Sequence, residues 1–304
     1  MKTLKEIQQT SQARNLELIA KQVVEGFVTG MHKSPFHGFS VEFAEHKIYN
    51  KGESTKHIDW KLFARTDKLF VKKYEEETNL RCQIIIDTSS SMLFPYQSKG
   101  INKLQFSIYS AAVLMHILQK QRDAYGLSLV SDNIELHTPA KTSSNHQKMI
   151  YSKLNTLLNL TEKNKKSDIA KQLHYIAENI HKRSLVILFS DMFNHGNIND
   201  YFSALQHLKY KKHEIIIFHV IDKNHETNFD FNNKPYKFVD LETGEELKLN
   251  PNNIRNDFSK NINEYFNQIK QKAIQYKIDF VEADINKSFD QILIPYLLKR
   301  QNLY

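Results

Sequence analysis

Residues 84 to 92 read IIIDTSSSM and residues 184 to 191 read SLVILFSD, in both cases an unbroken apolar run that ends in an aspartate beside hydroxyls. A third run, EIIIFHVI from Glu214 to Ile221, is apolar in the same way. A strand with one solvated face alternates apolar and polar residues, so runs without alternation belong to strands covered on both faces. Segments of helical spacing separate them, among them Leu104 to Gln119, which is apolar on nearly every face. Parallel neighbours need long crossovers, and helices supply them. The expected class is therefore α/β, with a doubly wound, mostly parallel sheet.

The rest of the chain extends this rhythm. Arg81 to Asp87 reads as the first strand, and Tyr125 to Val130 with Ile134 to Thr138 as a hairpin around Ser131, Asp132 and Asn133. Helices are expected over His146 to Leu160, Ser167 to His181, Asp200 to Leu208, Ile254 to Tyr276 and Phe289 to Arg300, with a strand at Ile278 to Ala283. Residues 223–250 interrupt the alternation. There YKFVDLETGEELKL carries two short strand patterns around Thr243 and Gly244, and a β-hairpin insertion is expected. Ahead of the sheet, Thr3 to Thr29 has amphipathic helical spacing. Ser34 to Asn79 is punctuated by Pro35, Gly38 and Gly52 and carries Trp60, Phe63, Phe70 and Tyr74 as aromatic anchors. The expected organisation is an N-terminal helical and irregular extension, residues 1–79, packed on an α/β domain of residues 80–304.

With 304 residues and 40% hydrophobic content the chain can build a sizeable core. Its only cysteine, Cys82, lies in an apolar run and reads as a buried small hydrophobe. No stretch approaches the roughly 18 consecutive apolar residues of a membrane span, and MKTLKEIQQTSQARNLELIAKQ lacks the apolar block of a signal peptide. These features lead us to expect a cytoplasmic protein with no transmembrane segment.

The net charge of +8 raises the question of nucleic acid, whose binding depends on clustered cations. The cations are not clustered: between Glu45 and Arg81 nine basic residues are interleaved with seven acidic ones. Only seven of the 42 basic residues are arginine, and lysine lacks the planar fork of a bidentate contact. A nucleic-acid partner is not expected.

In an open parallel sheet, ligands bind beyond the carboxyl ends of the strands, where strand order reverses. Asp87, Ser89 and Ser91 stand at such an end in D-x-S-x-S spacing, and Asp191 ends the second apolar strand beside Ser190. Ser167, in KKSDIAKQL, adds a hydroxyl at a helix start with Asp168 next to it. Such a set offers hard oxygen ligands suited to Mg2+ or Mn2+. The local alternative is that Asp87 and Ser89 satisfy backbone N–H groups of their loop and cap the next helix, and that Ser167 is an N-cap.

The spacing resembles the metal-ion-dependent adhesion site of von Willebrand factor A domains, which implies Asp87, Ser89, Ser91, Ser167 and Asp191 as metal ligands. Glu42 to Glu77, EFAEHKIYNKGESTKHIDWKLFARTDKLFVKKYEEE, followed at once by the IIIDTSSSM segment, resembles the bacterial domain-of-unknown-function family 58. SLVILFSD and FVDLETGEELKL fit as well, so the likeness runs from about Glu42 to Ala283. That family comprises von Willebrand A-like companions of MoxR-type AAA+ ATPases. The resemblance implies a von Willebrand A-like fold, a MoxR-type ATPase and other von Willebrand A-like proteins as partners, and a role in assembly, maturation or stress. One departure is that Lys165, Lys166 and Ser167 stand where family members commonly have two glycines and a threonine, and losing glycine restricts the loop backbone.

Catalytic patterns are missing. A phosphatase of the haloacid dehalogenase kind needs a second acid two residues after its first, and Ser89 stands there. There is no G-x-x-x-x-G-K-[ST] loop and no H-E-x-x-H, and Ser190 lacks the G-x-S-x-G elbow. A metal-dependent hydrolase built on Asp87 and Asp191 is the first alternative reading, and a basic nucleic-acid-binding protein the more remote one. The expected function is a non-enzymatic interaction module, with Lys163, Lys165 and Lys166 as a basic rim that meets an acidic partner surface.

Overall fold

The computed structural model describes residues 15–31, 46–48, 60–66, 69–72, 80–96, 100–159, 168–193 and 198–301. Helix α1, Leu16–Met31, buries Leu16, Ile19, Ala20, Val23, Val24 and Phe27 and exposes Glu17, Lys21 and Glu25. The buried positions recur at helical spacing, as an amphipathic stripe requires.

Two compact units can be distinguished. Thr29–Asn79 is one; residues up to Val28 and from Leu80 onward form the other. In the smaller unit β1, His46–Ile48, pairs antiparallel with β2, Phe70–Lys72, and α2, Trp60–Thr66, lies between them in sequence. From sequence this stretch is expected to be irregular, because a strand of three residues is too short to display alternation. The side chains of Trp60, Phe70 and Tyr74 lie outside the described residues.

The larger unit is built on six strands. In chain order its elements are β3 (Arg81–Asp87), α3 (Lys103–Lys120), β4 (Ala124–Val130), β5 (Ile134–His137), α4 (Ser144–Leu157), α5 (Ile169–Asn179) and β6 (Leu185–Ser190). After them come α6 (Ile198–Tyr210), β7 (Glu214–Ile221), β8 (Tyr236–Val239), β9 (Glu246–Leu249), α7 (Pro251–Gln275), β10 (Asp279–Asp284) and α8 (Asp290–Gln301). Sheet order is β10-β7-β6-β3-β4-β5, parallel throughout except for the antiparallel edge strand β5. This is the doubly wound, mostly parallel α/β arrangement expected from the sequence.

Alternation along the strands divides the core in two. Ile85, Val186, Leu188, Ile215 and Ile217 pack with Leu173 and Ile176 of α5, Phe202 and Leu205 of α6, and Ile269 and Ala273 of α7. Their neighbours Ile84, Ile86, Ile187, Phe189, Ile216 and Phe218 point the other way, and Phe189 stacks on Phe218 with ring centroids 5.0 Å apart. Helix α3 is buried at every position from Phe106 to Leu118, and at Lys103 and Leu104, which explains why its sequence is apolar on nearly every face. Cys82 is a free, fully buried thiol, as expected.

Gly126, in the middle of β4, is required by close approach. A Cβ there would lie 2.6 Å from Gln83 Oε1 and 3.0 Å from Ala140 N, and closer still to Thr138 O. Strands β8 and β9 form the expected hairpin, closed by Asp240, whose carboxylate accepts from Glu242 N at 2.7 Å and Thr243 N at 3.2 Å. Gly244 completes that turn at φ +78°.

Candidate functional site

Strand order reverses between β3 and β6: the chain runs from β3 outward to β4 and β5, then returns to β6 and continues to β7 and β10. The crevice at such a reversal is where a sheet of this kind binds ligands. Because β3 and β6 pair in parallel up to Ile86 and Phe189, Asp87 and Ser190 end their strands side by side.

Asp87 is fully buried, and each of its oxygens is engaged. Oδ1 accepts from Ser89 N at 2.9 Å and from Ser89 Oγ at 2.6 Å, while Oδ2 accepts from Ser190 Oγ at 2.8 Å. Ser89 Oγ lies 3.1 Å from Ser91 Oγ, so the two serines of the motif reach one point. The local role of Asp87, satisfying the N–H of its own loop, is thus present. Ser89 sits at the N-cap of the short 3-10 turn Ser90–Leu93 without a side-chain cap bond. Burial, and next the charge of Asp191, push the Asp87 carboxyl up to about 7, against the pull of the Ser89 and Ser190 hydrogen bonds. Among the described residues no lysine, arginine or histidine pairs with it.

Asp191 lies in the turn after β6, fully buried like Asp87. The turn is tight: Met192 follows at φ 57°, and Met192 N donates to Ser190 Oγ at 3.0 Å. Asp191 Oδ1 accepts from Phe193 N at 3.1 Å. Oδ2 accepts from Lys103 Nζ at 2.7 Å.

Sequence reasoning missed Lys103. It is the first residue of α3, set there by an Asn102–Gln105 capping box, and its side chain is 1% exposed. Its ammonium donates to Asp191 Oδ2 and, at 2.5 Å, to Glu226 Oε1, with the rings of Phe193 and Phe94 5.3 and 5.8 Å away. Burial works against that charge, but Asp191 first and Glu226 next outweigh it and hold the ammonium above its ordinary range. Glu226 belongs to a single π turn, Lys223–Thr227, directly after β7. Its other oxygen accepts from Asp222 N at 2.7 Å, and its carboxyl is raised by burial against the opposing pull of Lys103. Two signals were available: a lysine opening a helix that is apolar on nearly every face, and a glutamate just past a buried strand.

The polar chain continues along the sheet edge. Asp222 pairs with His225 at 2.7 Å and accepts from Asn286 Nδ2 at 2.9 Å, and Asn286 N donates to Asp284 Oδ1 at 3.0 Å. His219 of β7 is buried, and burial lowers it to about 4, so it is neutral and its Nε2–H donates to the Asp191 carbonyl at 3.0 Å.

Asp87, Ser89 and Ser91 converge and offer hard oxygens around a carboxylate with no paired cation, which suits Mg2+ or Mn2+. Asp191 comes to the same edge, where its carboxylate is held by the Lys103 ammonium and a backbone N–H. Ser167 and the lysines Lys163, Lys165 and Lys166 lie outside the described residues. Asp168 caps α5 without a side-chain bond, and its N–H donates to Ser131 O at 3.3 Å, so this helix starts at the carboxyl end of β4.

The family described as "Protein of unknown function DUF58" matches residues 45–267. The chain belongs to that family. Two relatives of this DUF58 chain, uncharacterized protein Mb1516 of Mycobacterium bovis and uncharacterized protein Rv1480 of Mycobacterium tuberculosis, are each 23% identical over 211 residues. The alignment covers 69% of this chain and 64% of each relative, so the chain spans about two thirds of the length of the curated relatives it matches. Among solved structures it is similar to the conserved hypothetical protein BatB from Bacteroides thetaiotaomicron, at TM-score 0.46 and 13% identity over 74% of this chain and 100% of that one. It is also similar to an aerotolerance-related membrane protein from Bacteroides fragilis, at TM-score 0.43 and 11% identity over 73% and 99% of the two chains. Among the described residues no helix of this DUF58 protein is long and apolar enough to cross a membrane.

Proposed function

We propose that the chain is a non-enzymatic protein-interaction module that meets its partner at the carboxyl ends of β3 and β6. The observation that carries this reading is Asp87, a fully buried carboxylate at the strand-order reversal, flanked by the Ser89 and Ser91 hydroxyls and lacking a paired cation among the described residues. A buried charge left so is costly, and a bound cation offsets the cost. In this reading Asp87, Ser89 and Ser91 hold Mg2+ or Mn2+. When bound, such an ion supplies an open coordination position for a carboxylate of the partner.

The proposed partner is a MoxR-type AAA+ ATPase, with other von Willebrand A-like proteins as further candidates and the cytoplasm as the setting. Family membership supports this choice by analogy of family alone. The test is surface plasmon resonance of the wild type, Asp87→Asn and Asp87→Ala against a MoxR-type ATPase, with and without Mg2+. Asp87→Asn keeps the size and most hydrogen bonds of the carboxylate while removing its charge. The expected result is Mg2+-dependent binding weakened at least about tenfold by either substitution, which is about 1.4 kcal/mol. Equal binding by a folded Asp87→Asn protein overturns the reading.

A further inference from the structure

We propose that Lys103 is the resident cation of the Asp191 half of this edge, so that divalent ions are confined to Asp87, Ser89 and Ser91. Three observations point to it. The ammonium lies within hydrogen-bond distance of two carboxylates on different loops, Asp191 Oδ2 at 2.7 Å and Glu226 Oε1 at 2.5 Å. The side chains of Lys103 and Asp191 are 1% and 0% exposed, so this pair is part of the interior and not a surface contact that opens and closes in water. The remaining oxygens are also in use: Asp191 Oδ1 accepts from Phe193 N, and Glu226 Oε2 accepts from Asp222 N.

The chemistry follows from size and charge. A divalent ion binds carboxylate oxygens at about 2.0–2.6 Å and brings its own waters, whereas an ammonium sits at about 2.7–2.9 Å and donates through three N–H groups. An ammonium covalently tethered to α3 neutralises Asp191 at any metal concentration, because its effective local concentration does not depend on the solution. A metal could engage Asp191 Oδ2 only by displacing the Lys103 ammonium from a buried partner, and breaking a buried ion pair in this way is costly. The arrangement splits one edge into two unlike halves: a serine-lined half at Asp87 that is short of positive charge, and a lysine-filled half at Asp191 that is not.

This inference narrows the reading given above to one side of the site, and it can fail separately. Calorimetric titration with Mn2+ and thermal melts with and without Mn2+ would be run on the wild type, Asp191→Asn, Lys103→Arg and Lys103→Met. We expect Asp191→Asn and Lys103→Arg to keep the wild-type Mn2+ response within about twofold, under 0.5 kcal/mol. Lys103→Met, which leaves Asp191 Oδ2 and Glu226 Oε1 facing one vacated position, is expected to gain a Mn2+ site that the wild type lacks, seen as an additional equivalent or as a melt rescued by the ion. A folded Asp191→Asn protein that loses Mn2+ affinity by about tenfold or more, or 1.4 kcal/mol, overturns the proposal. So does a Lys103→Met protein that neither takes up additional Mn2+ nor is stabilised by it. Wild-type protein that binds no Mn2+ at all, with Lys103→Met gaining a site, sinks the Asp87 ion reading and supports the assignment of Lys103.

Discussion

Ser190 Oγ donates to Asp87 Oδ2 at 2.8 Å, joining the ends of β3 and β6 through a buried carboxylate. The bond favours the ionised form, yet burial and the Asp191 charge prevail and the folded carboxyl titrates near 7, against an ordinary value of 3.8. Between these values the folded chain holds a proton that the unfolded chain has released. The contribution of Asp87 to stability is therefore fully present below about pH 4 and is lost as pH rises through 7, by up to about 4 kcal/mol. Urea unfolding in EDTA is expected to show wild type losing ground to Asp87→Asn over that window. A difference between the two that stays constant with pH contradicts this.

His219 acts with the opposite sign. Its folded value near 4 lies below the ordinary 6.5, with burial as the main cause and Asp191 as a partial counterweight. Below pH 6.5 the unfolded imidazole takes a proton that the buried one refuses, so stability falls as pH drops toward 4, by up to about 3 kcal/mol. In the window they share, Asp87 and His219 offset each other. His219→Gln is expected to gain on wild type steadily as pH falls from 6.5 to 4.5 in the same unfolding measurement, and a parallel pair of curves would count against it.

At Gly126 even the smallest side chain meets backbone and a buried amide. Gly126→Ala is expected to destabilise by about 1–3 kcal/mol or more, because Thr138 O and Ala140 N belong to main chain that cannot step aside cheaply. A melting temperature within a degree of wild type would show that this strand moves more freely than its packing implies.

Three helices end on a left-handed residue that is not glycine. Arg122, Lys212 and Lys277 have φ of 58°, 65° and 54°, and in each case the next N–H returns to the carbonyl five residues back, as in Asp123 N to Leu118 O. Lys212 and Lys277 are exposed, so nothing is lost from the core by trimming them. Lys212→Gly and Lys277→Gly are each expected to stabilise by about 0.5–1 kcal/mol, read as a raised melting temperature.

These caps also mark the limit of what the sequence disclosed. Without glycine at Arg122, Lys212 or Lys277, helix ends had to be inferred from the loss of apolar spacing alone. The strands were plain, since Ile84 to Ile86 and Leu185 to Phe189 are covered on both faces with no polar interruption, and Ile215 to Val220 has only the buried His219 among its apolar residues. The aspartates at their ends were equally plain, because a charge directly after such a run must lie at the sheet edge. Lys103 and Glu226 escaped notice for a physical reason. A buried ion pair leaves no periodic signature, and Asp191 and Glu226 lie 88 and 123 residues from Lys103, so neither the lysine opening α3 nor the glutamate after β7 discloses its partner. The short strands at His46–Ile48 and Phe70–Lys72 were missed because pairing, and not pattern, defines them.

The place of Lys103 at the first position of α3 has a consequence for the order of assembly. A positive charge at a helix N-terminus opposes the helix dipole, so locally this residue works against the helix it opens. The opposing charges arrive only with Asp191 and Glu226, far along the chain and on different loops. A nascent chain that ends anywhere before Glu226 carries the ammonium without its full set of counter-charges. The start of α3 is therefore expected to close late, after β6 has docked beside β3 and β7 beside β6, which makes this edge a product of the completed sheet and not one of its nuclei.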